Sequence, residues 1–265
     1  MTGRRLRNQP PLFMVVLALF AIALVALPLA GLLWRTPWPD LGELMTSDVV
    51  VDALRLSLIT SLAATGLSLV FGVPLAWLLA RVDFPGRSIV RGLVLLPLVL
   101  PPVVGGAALL FALGRRGLLG EPLYEASGLV LPFSTAGAVL AAAFVAMPFL
   151  VITVEGALRN LDERYEGAAA SLGAGTWTVL RRVTLPMIAP SIMAGLALTW
   201  ARAFGEFGAT ITFAGNLPGR TQTLPLAVFV ALESNRDVAV AISLLMVVVS
   251  LLVLVALRER WWRFS

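Results

Sequence analysis

The 265-residue chain contains no cysteine, no histidine and no lysine, so all 20 of its basic residues are arginine. Each absence removes a class of chemistry. Without lysine there is no Walker A loop, which needs an amine on the nucleotide phosphates, and no Schiff-base nucleophile. Without histidine and cysteine the Ser-His-Asp and Cys-His nucleophile systems are gone, and a zinc site would have only carboxylates. Disulfides are impossible, so cysteine usage says nothing of the redox compartment. The chain cannot hydrolyse nucleotide by P-loop chemistry alone. Charge is scarce too: 13% of residues are charged, where soluble domains carry about 25%.

What is present is apolar. Hydrophobic residues make up 59% of the chain, and the mean hydropathy is +0.93. This composition predicts an all-α polytopic membrane protein with a single integral domain over 1–265. Six spans are expected: Leu12–Trp34, Leu56–Ala80, Gly92–Gly114, one within Ala126–Val154, one starting at Val183–Ala201 and continuing past Arg202 and Glu206, and Val238–Leu257. Each approaches the roughly 20 residues that a helix needs to cross the hydrocarbon, and none alternates like a strand. The first run is expected to remain as a span and not to be removed as a signal peptide.

Arginine placement orients the spans. With six alternating helices, thirteen arginines fall on one side: Arg4, Arg5, Arg7, Arg81, Arg87, Arg91, Arg159, Arg164, Arg181, Arg182, Arg258, Arg260 and Arg263. Six fall on the other: Arg35, Arg55, Arg115, Arg116, Arg220 and Arg236. The richer side should be cytoplasmic, and with it both termini. The formal charge of +5 then reflects topology, not nucleic-acid binding. Trp34, Trp38, Trp261 and Trp262 stand at span ends, where indole rings favour the membrane interface. Leu224–Leu232 is apolar but too short to cross, and is read as a short helix over the outer mouth.

One cytoplasmic segment is unlike the rest. "RYEGAAASLGAGTWTVLRRVTLP", Arg164–Pro186, is too polar to span and too rich in small residues for an ordinary loop. Asp162, Glu163 and Glu166 suit a helix N-terminus, Gly173 and Gly175 break the helix, and Thr176–Val183 forms a second short helix. Pro186 is expected to prevent smooth continuation into the next span. The small side chains at 167–171 make a shallow surface, with Trp177, Val179 and Leu180 as apolar anchors. Two readings stand on this pattern: a dock for another protein, or an amphipathic pair lying on lipid.

"EGAAASLG", nine residues, then "VTLP" resembles the EAA loop of ABC-importer permeases, whose pattern is E-A-A-x-x-x-G-x9-I-x-L-P. Ala168, Ala169, Gly173, Val183, Leu185 and Pro186 match or nearly match. Gly167 stands where the family usually has Glu, and Glu166 lies one place earlier, leaving the role of that carboxylate open. The resemblance implies a type I ABC importer permease fold with cytoplasmic coupling helices between spans 4 and 5, inserted into a separate ATPase subunit. ATP and Mg would bind that partner, and this chain would bind no cofactor. "ARAFGEFGATITFAGNLPGRTQTLPLAVF" (201–229) and "LLPLVLPPVVGG" (95–106) resemble molybdate/tungstate permeases within that family. Sulfate permeases share the GEFG element. Implied partners are a second permease copy, two ATPase subunits, an extracytoplasmic oxyanion-binding protein and membrane lipid.

Further candidates lie inside the membrane. Arg202 and Glu206 are four apart on an expected helical face. With the fifth span entering at Met187, Arg202 lies roughly 22 Å in. Intramembrane charges usually face an interior or an aqueous path. The favoured reading is a self-neutralising pair locking the helix to a neighbour; the alternative is a guanidinium beside an anion path. Pro97, Pro101, Pro102 and Gly105, with Gly106, disrupt the third span and suggest a pore-lining kink or gate, or a packing kink. Gly208, Thr210 and Thr212, with Gly205, offer donors to oxyanion oxygens, although a threonine in a membrane helix commonly bonds its own backbone.

The sequence as a whole thus predicts a molybdate permease subunit working by alternating access, with tungstate or sulfate as near alternatives. A stand-alone ion-coupled transporter or channel needs intramembrane carboxylates, and only Glu206 qualifies. An intramembrane enzyme lacks its nucleophiles.

Overall fold

The computed structural model describes residues 11–261, with side chains for 11–253 and 255. Arg4, Arg5, Arg7, Trp262 and Arg263 lie outside the described residues, as do the side chains of Arg258, Arg260 and Trp261. The described chain is helical throughout: α1 (Leu12–Arg35), α2 (Leu41–Thr46), α3 (Asp48–Arg81), α4 (Arg87–Val99), α5 (Pro102–Leu113), α6 (Gly120–Ser127), α7 (Thr135–Asn160), α8 (Arg164–Ser171), α9 (Thr176–Val179), a π turn (Leu180–Thr184), α10 (Leu185–Phe204), α11 (Gly208–Phe213), α12 (Leu224–Ser234) and α13 (Arg236–Trp261). Five helices among the described residues are long and apolar enough to cross a membrane: α1, α3, α7, the continuous run Thr176–Phe204, and Arg236–Val253 within α13.

The expected third span is two helices, because its prolines act together. Proline pushes the preceding residue out of the α region. Leu100 precedes Pro101, and Pro101 precedes Pro102; both are extended, with ψ 133° and 129°. Pro102 then opens α5, where a missing N–H costs nothing. Neither α4 (13 residues) nor α5 (12 residues) reaches the roughly 20 residues needed to span alone.

The fifth span departs from expectation at both ends. Pro186 does not interrupt the chain: α9 runs through the π turn into α10 without a break. A π turn widens the helix locally, and proline is tolerated in a first turn. At the far end α10 stops at Phe204. Glu206 therefore lies in a break before α11, not on a continued helix. The segments LPLVLP (96–101) and LPMIAP (185–190) share an L-P-x-x-x-P pattern, yet the first meets a helix break and the second sits inside a continuous helix.

The bundle is centred on α7, which packs chiefly against α3 and α10. Small residues let the backbones approach, the usual basis of association where lipid offers no hydrophobic drive. Ala64 on α3, Ala142, Ala143 and Ala146 on α7, and Ala203 on α10 form one buried cluster. A Cβ on Gly195 of α10 would lie 2.9 Å from Leu150. Larger side chains fill the two ends: Leu79, Leu150, Val154, Leu158 and Ile188 at one, and Phe204, Leu224 and Ile242 at the other. Buried hydroxyls on α3 are satisfied within the protein: Thr60 donates to the Leu56 carbonyl and Ser68 to the Ala64 carbonyl, and Ser57 accepts from the Leu224 N–H of α12. Helix α1 has no buried residue. Trp34 at its end is 83% exposed, with Arg35 over its ring.

The ends of α3, α4, α7 and α8 meet through arginines. Arg87 and Arg91 of α4 donate to the Leu79 carbonyl at the end of α3. Arg91 also pairs with Glu155 of α7, which Arg159 approaches at 3.1 Å. Arg81, the last residue of α3, reaches Glu163 and Glu166 at the start of α8.

Candidate functional site

The sequence singles out two regions, at opposite ends of α10 and thus roughly 30 Å apart along its axis. The first is the elbow formed by α8 and α9. Asp162 opens it: its carboxylate accepts from the Arg164 backbone N–H at 3.0 Å and from the Arg164 guanidinium. The Arg164 side chain holds that carboxyl below the usual aspartate range, and its N–H adds to the effect. At the other end of α8 the Gly173 N–H donates to the Ala170 carbonyl and the Ala174 N–H to the Ala169 carbonyl, closing the helix. Gly173 makes this turn with φ +88°, where a side chain is strained.

The elbow presents apolar side chains to its surroundings. Leu172 is 90% exposed, Trp177 70% and Tyr165 56%. Ala168 and Gly167 are exposed with them, Ala169 is half-buried, and nothing lies within 4 Å of a Cβ built on Gly167. Val179 and Leu180, expected as anchors beside Trp177, are half-buried and turn inward, where they line a cavity of about 350 Å³ with Trp77, Arg81 and Thr184. Glu166 also faces inward: Oε1 accepts from the Thr184 hydroxyl at 2.6 Å and Oε2 lies 3.1 Å from the Arg81 guanidinium. Leu185 and Pro186 belong to the start of α10, half-buried and exposed.

The second region is the contact between α5 and α11. It brings together Pro102, Gly208 and Thr212, and adds Gly106; Gly105 faces the Phe144 ring of α7 instead. A Cβ on Gly106 would meet the Ala209 carbonyl oxygen and Thr212 Cβ at 2.7 Å; one on Gly208 would meet Pro102 Cβ at 2.8 Å. The half-helices thus touch backbone to backbone. Thr212 donates to the Gly208 carbonyl at 2.8 Å, and Thr210 is buried. Glu206 closes the start of α11. Its Oε1 accepts from the Ala209 N–H at 2.7 Å, and its Oε2 meets Arg202 Nη1 at 2.6 Å. Glu206 is 3% exposed. Pro97 is buried on α4, across the break from Gly105, while Pro101 is exposed.

Sequence reasoning missed Arg81 and Thr184 as site residues. Arg81 carried only an orientation signal, and Thr184 only its place in "VTLP". Nothing local ties either to Glu166, since Arg81 and Glu163 are 82 positions apart.

Residues 72–261 match the model of the family described as binding-protein-dependent transport system inner membrane component. The chain belongs to that family. This inner membrane component is 48% identical over 252 residues to a Mycobacterium tuberculosis molybdenum transport system permease protein, covering 94% of each chain. It is 43% identical over 218 residues to the Escherichia coli K12 molybdenum transport system permease protein, covering 82% of this chain and 95% of that one. A sulfate transport system permease protein of the same E. coli strain is 35% identical over 255 residues, covering 96% and 90%. In fold, the component is similar to a chain of a bacterial ABC transporter that imports alginate, with a TM-score of 0.74 at 20% identity and 96% of both chains covered. A chain of the MetNI methionine ABC transporter, in an inward-facing form, gives 0.64 at 18% identity, covering 82% and 96%. The fold is that of an ABC-importer permease, and the component is a multi-pass inner membrane protein.

Proposed function

We propose that the chain is the membrane-spanning subunit of an ATP-driven importer that carries molybdate into the cytoplasm. The observation that carries the substrate is the near full-length identity to molybdenum permeases, 48% over 94% of the chain, against 35% to a sulfate permease. Tungstate shares molybdate's charge and tetrahedral shape and is the nearest alternative. Sulfate is smaller.

In this proposal two copies line one path, and both termini face the cytoplasm with the arginine-rich ends. Two ATPase subunits hold ATP and Mg, and this chain holds neither. Each ATPase takes an elbow into a cleft, with Leu172, Trp177 and Tyr165 as the contact and Gly173 setting its shape. Exposed aromatic and aliphatic side chains on a helix-turn-helix are the anchors an interface centre uses. A binding protein delivers the oxyanion at the other end. ATP binding draws the elbows together and rocks the bundle; release after hydrolysis reverses it, as rigid-body alternating access.

The α5–α11 contact is the proposed gate. Two half-helices, broken at Pro101–Pro102 and at Gly205–Phe207, meet closely at Gly106 and Gly208, against the Cβ atoms of Thr212 and Pro102. Such a contact opens by displacement of rigid pieces and not by side-chain rotation. Arg202 is held by Glu206, so it offers no strong anion trap; a permeating dianion needs weak, transient contacts. The experiment is uptake of labelled molybdate by the assembled complex in proteoliposomes, with competing anions. Tungstate at tenfold excess should suppress uptake and sulfate should leave most of it. Equal suppression by sulfate would move the assignment to a general oxyanion permease.

A further inference from the structure

Beneath the elbow lies a polar contact made wholly within this chain. Helix α8 has no buried residue, and among the described elements it packs closely on α9 and the π turn alone. The cavity of about 350 Å³ lies between it and α3. Apolar packing therefore does little to hold α8 to α3, and the link across the gap is ionic. Arg81 Nη1 lies 2.8 Å from Glu163 Oε1 and Arg81 Nη2 lies 3.1 Å from Glu166 Oε2. Glu166 in turn accepts from Thr184, which is 1% exposed.

The two ion pairs are unequal. The Glu163 side chain is 81% exposed, so its pair is screened and contributes little. The Arg81 and Glu166 side chains are 14% and 22% exposed. Arg81 Nε and Nη2 are buried without a well-aligned acceptor, so Glu166 supplies the charge that offsets the desolvation of the guanidinium. Arg81 ends the 34-residue α3, and Arg87 and Arg91 bind the carbonyls of that same end. Arg91 continues to Glu155 of α7. Polar contacts thus run from α8 to Arg81 at the end of α3, and from the neighbouring Leu79 carbonyl to α4 and on to α7.

We propose that Arg81, Glu166 and Thr184 form an internal clamp that converts displacement of the elbow into movement of α3. Glu166 is then a positioning residue acting through Arg81, and not a contact for the ATPase. The clamp rests on the reading of the elbow as the ATPase dock. It explains how Gly167 can stand where a carboxylate is usual, since the carboxylate of this chain points inward from the neighbouring position. The π turn ends at Thr184, so the clamp holds the wide turn at its junction with α10.

The test uses the full complex of permease, ATPase and binding protein in proteoliposomes, reading ATPase co-purification and molybdate transported per ATP hydrolysed. Arg81→Ala should retain the ATPase while transport per ATP falls about tenfold, within the range of a coupling free energy. Thr184→Val, which removes the hydrogen bond to the carboxylate and leaves the ion pair, should lower it less than Arg81→Ala does, about threefold. The exchange Arg81→Glu with Glu166→Arg should restore transport per ATP to within about threefold of the unaltered complex, the signature of a direct pair. An unimpaired Arg81→Ala overturns the clamp, as does an exchange no better than Arg81→Ala. Loss of the ATPase from Glu166→Gln would make that carboxylate a docking contact and also overturn it. An unaltered chain that fails to retain the ATPase refutes the docking reading and the clamp together; one that retains it beside an unimpaired Arg81→Ala refutes the clamp alone.

Discussion

Glu206 illustrates how much rests on single side chains here. One carboxylate oxygen receives the Ala209 N–H and the other the Arg202 guanidinium, so a single buried group closes α11 and neutralises an intramembrane charge. Arg202→Ala leaves the carboxylate buried with a single N–H donor. It should lower stability by about 3 kcal/mol, the low end for breaking a buried pair, because the Arg202 side chain is 28% exposed. Adding Glu206→Gln should recover most of that loss, because the amide oxygen still accepts from Ala209. Thermal unfolding in detergent measures both; a double variant no more stable than Arg202→Ala contradicts the structural role. Gly173 is a different case. Nothing lies within 4 Å of its missing Cβ, but its φ is +88°, so a substitution is felt through the backbone alone. Gly173→Val should cost about 1–2 kcal/mol locally and abolish ATPase co-purification with membrane insertion intact, while Gly173→Asn, which tolerates this conformation, should be milder. The need for glycine at 173 was legible in the sequence. The inward turn of Glu166 was not, because its partners Arg81 and Thr184 are supplied by tertiary approach.

At the scale of elements, the helices were legible and their breaks only partly so. Lipid solvation rewards a local average of apolarity, which a single sequence displays directly. Helix continuity depends on individual residues. Two adjacent prolines stop α4, and a sequence that warned of a kink there undersold a full break. Pro186 warned of a break and caused none, because the π turn accommodates it. Gly205 ends α10 while the surrounding sequence remains apolar, so hydropathy ran on where the helix did not. The contact of α5 with α11 depends on Gly106 more than on Gly105. The Cβ of Gly106→Ala would press on the Ala209 carbonyl at 2.7 Å, whereas that of Gly105→Ala meets the Phe144 ring at 3.0 Å, and a ring can turn. Gly106→Ala should cost about 1–3 kcal/mol as an overpacked site, and Gly105→Ala clearly less. Equal losses on thermal unfolding would mean that α5 and α11 are not in backbone contact.

At the scale of the whole molecule, sidedness follows from arginine, and the lack of native cysteine makes it easy to test. Single cysteines introduced at Leu172 and at Arg220, both exposed, should react from opposite faces. In intact cells an impermeant maleimide should label Arg220→Cys and spare Leu172→Cys; the reverse pattern would put the elbow outside. The missing lysine excludes a Walker A loop in this chain, and membership of a binding-protein-dependent transport family agrees with a transport subunit. The account stands on the elbow being driven by another protein's ATP hydrolysis. The most direct measurement is molybdate uptake into proteoliposomes holding the chain alone, or the chain with its ATPase and binding protein, with and without ATP. Uptake should occur only when all three components and ATP are present. Molybdate entry through the chain alone, or entry indifferent to ATP, would contradict the account.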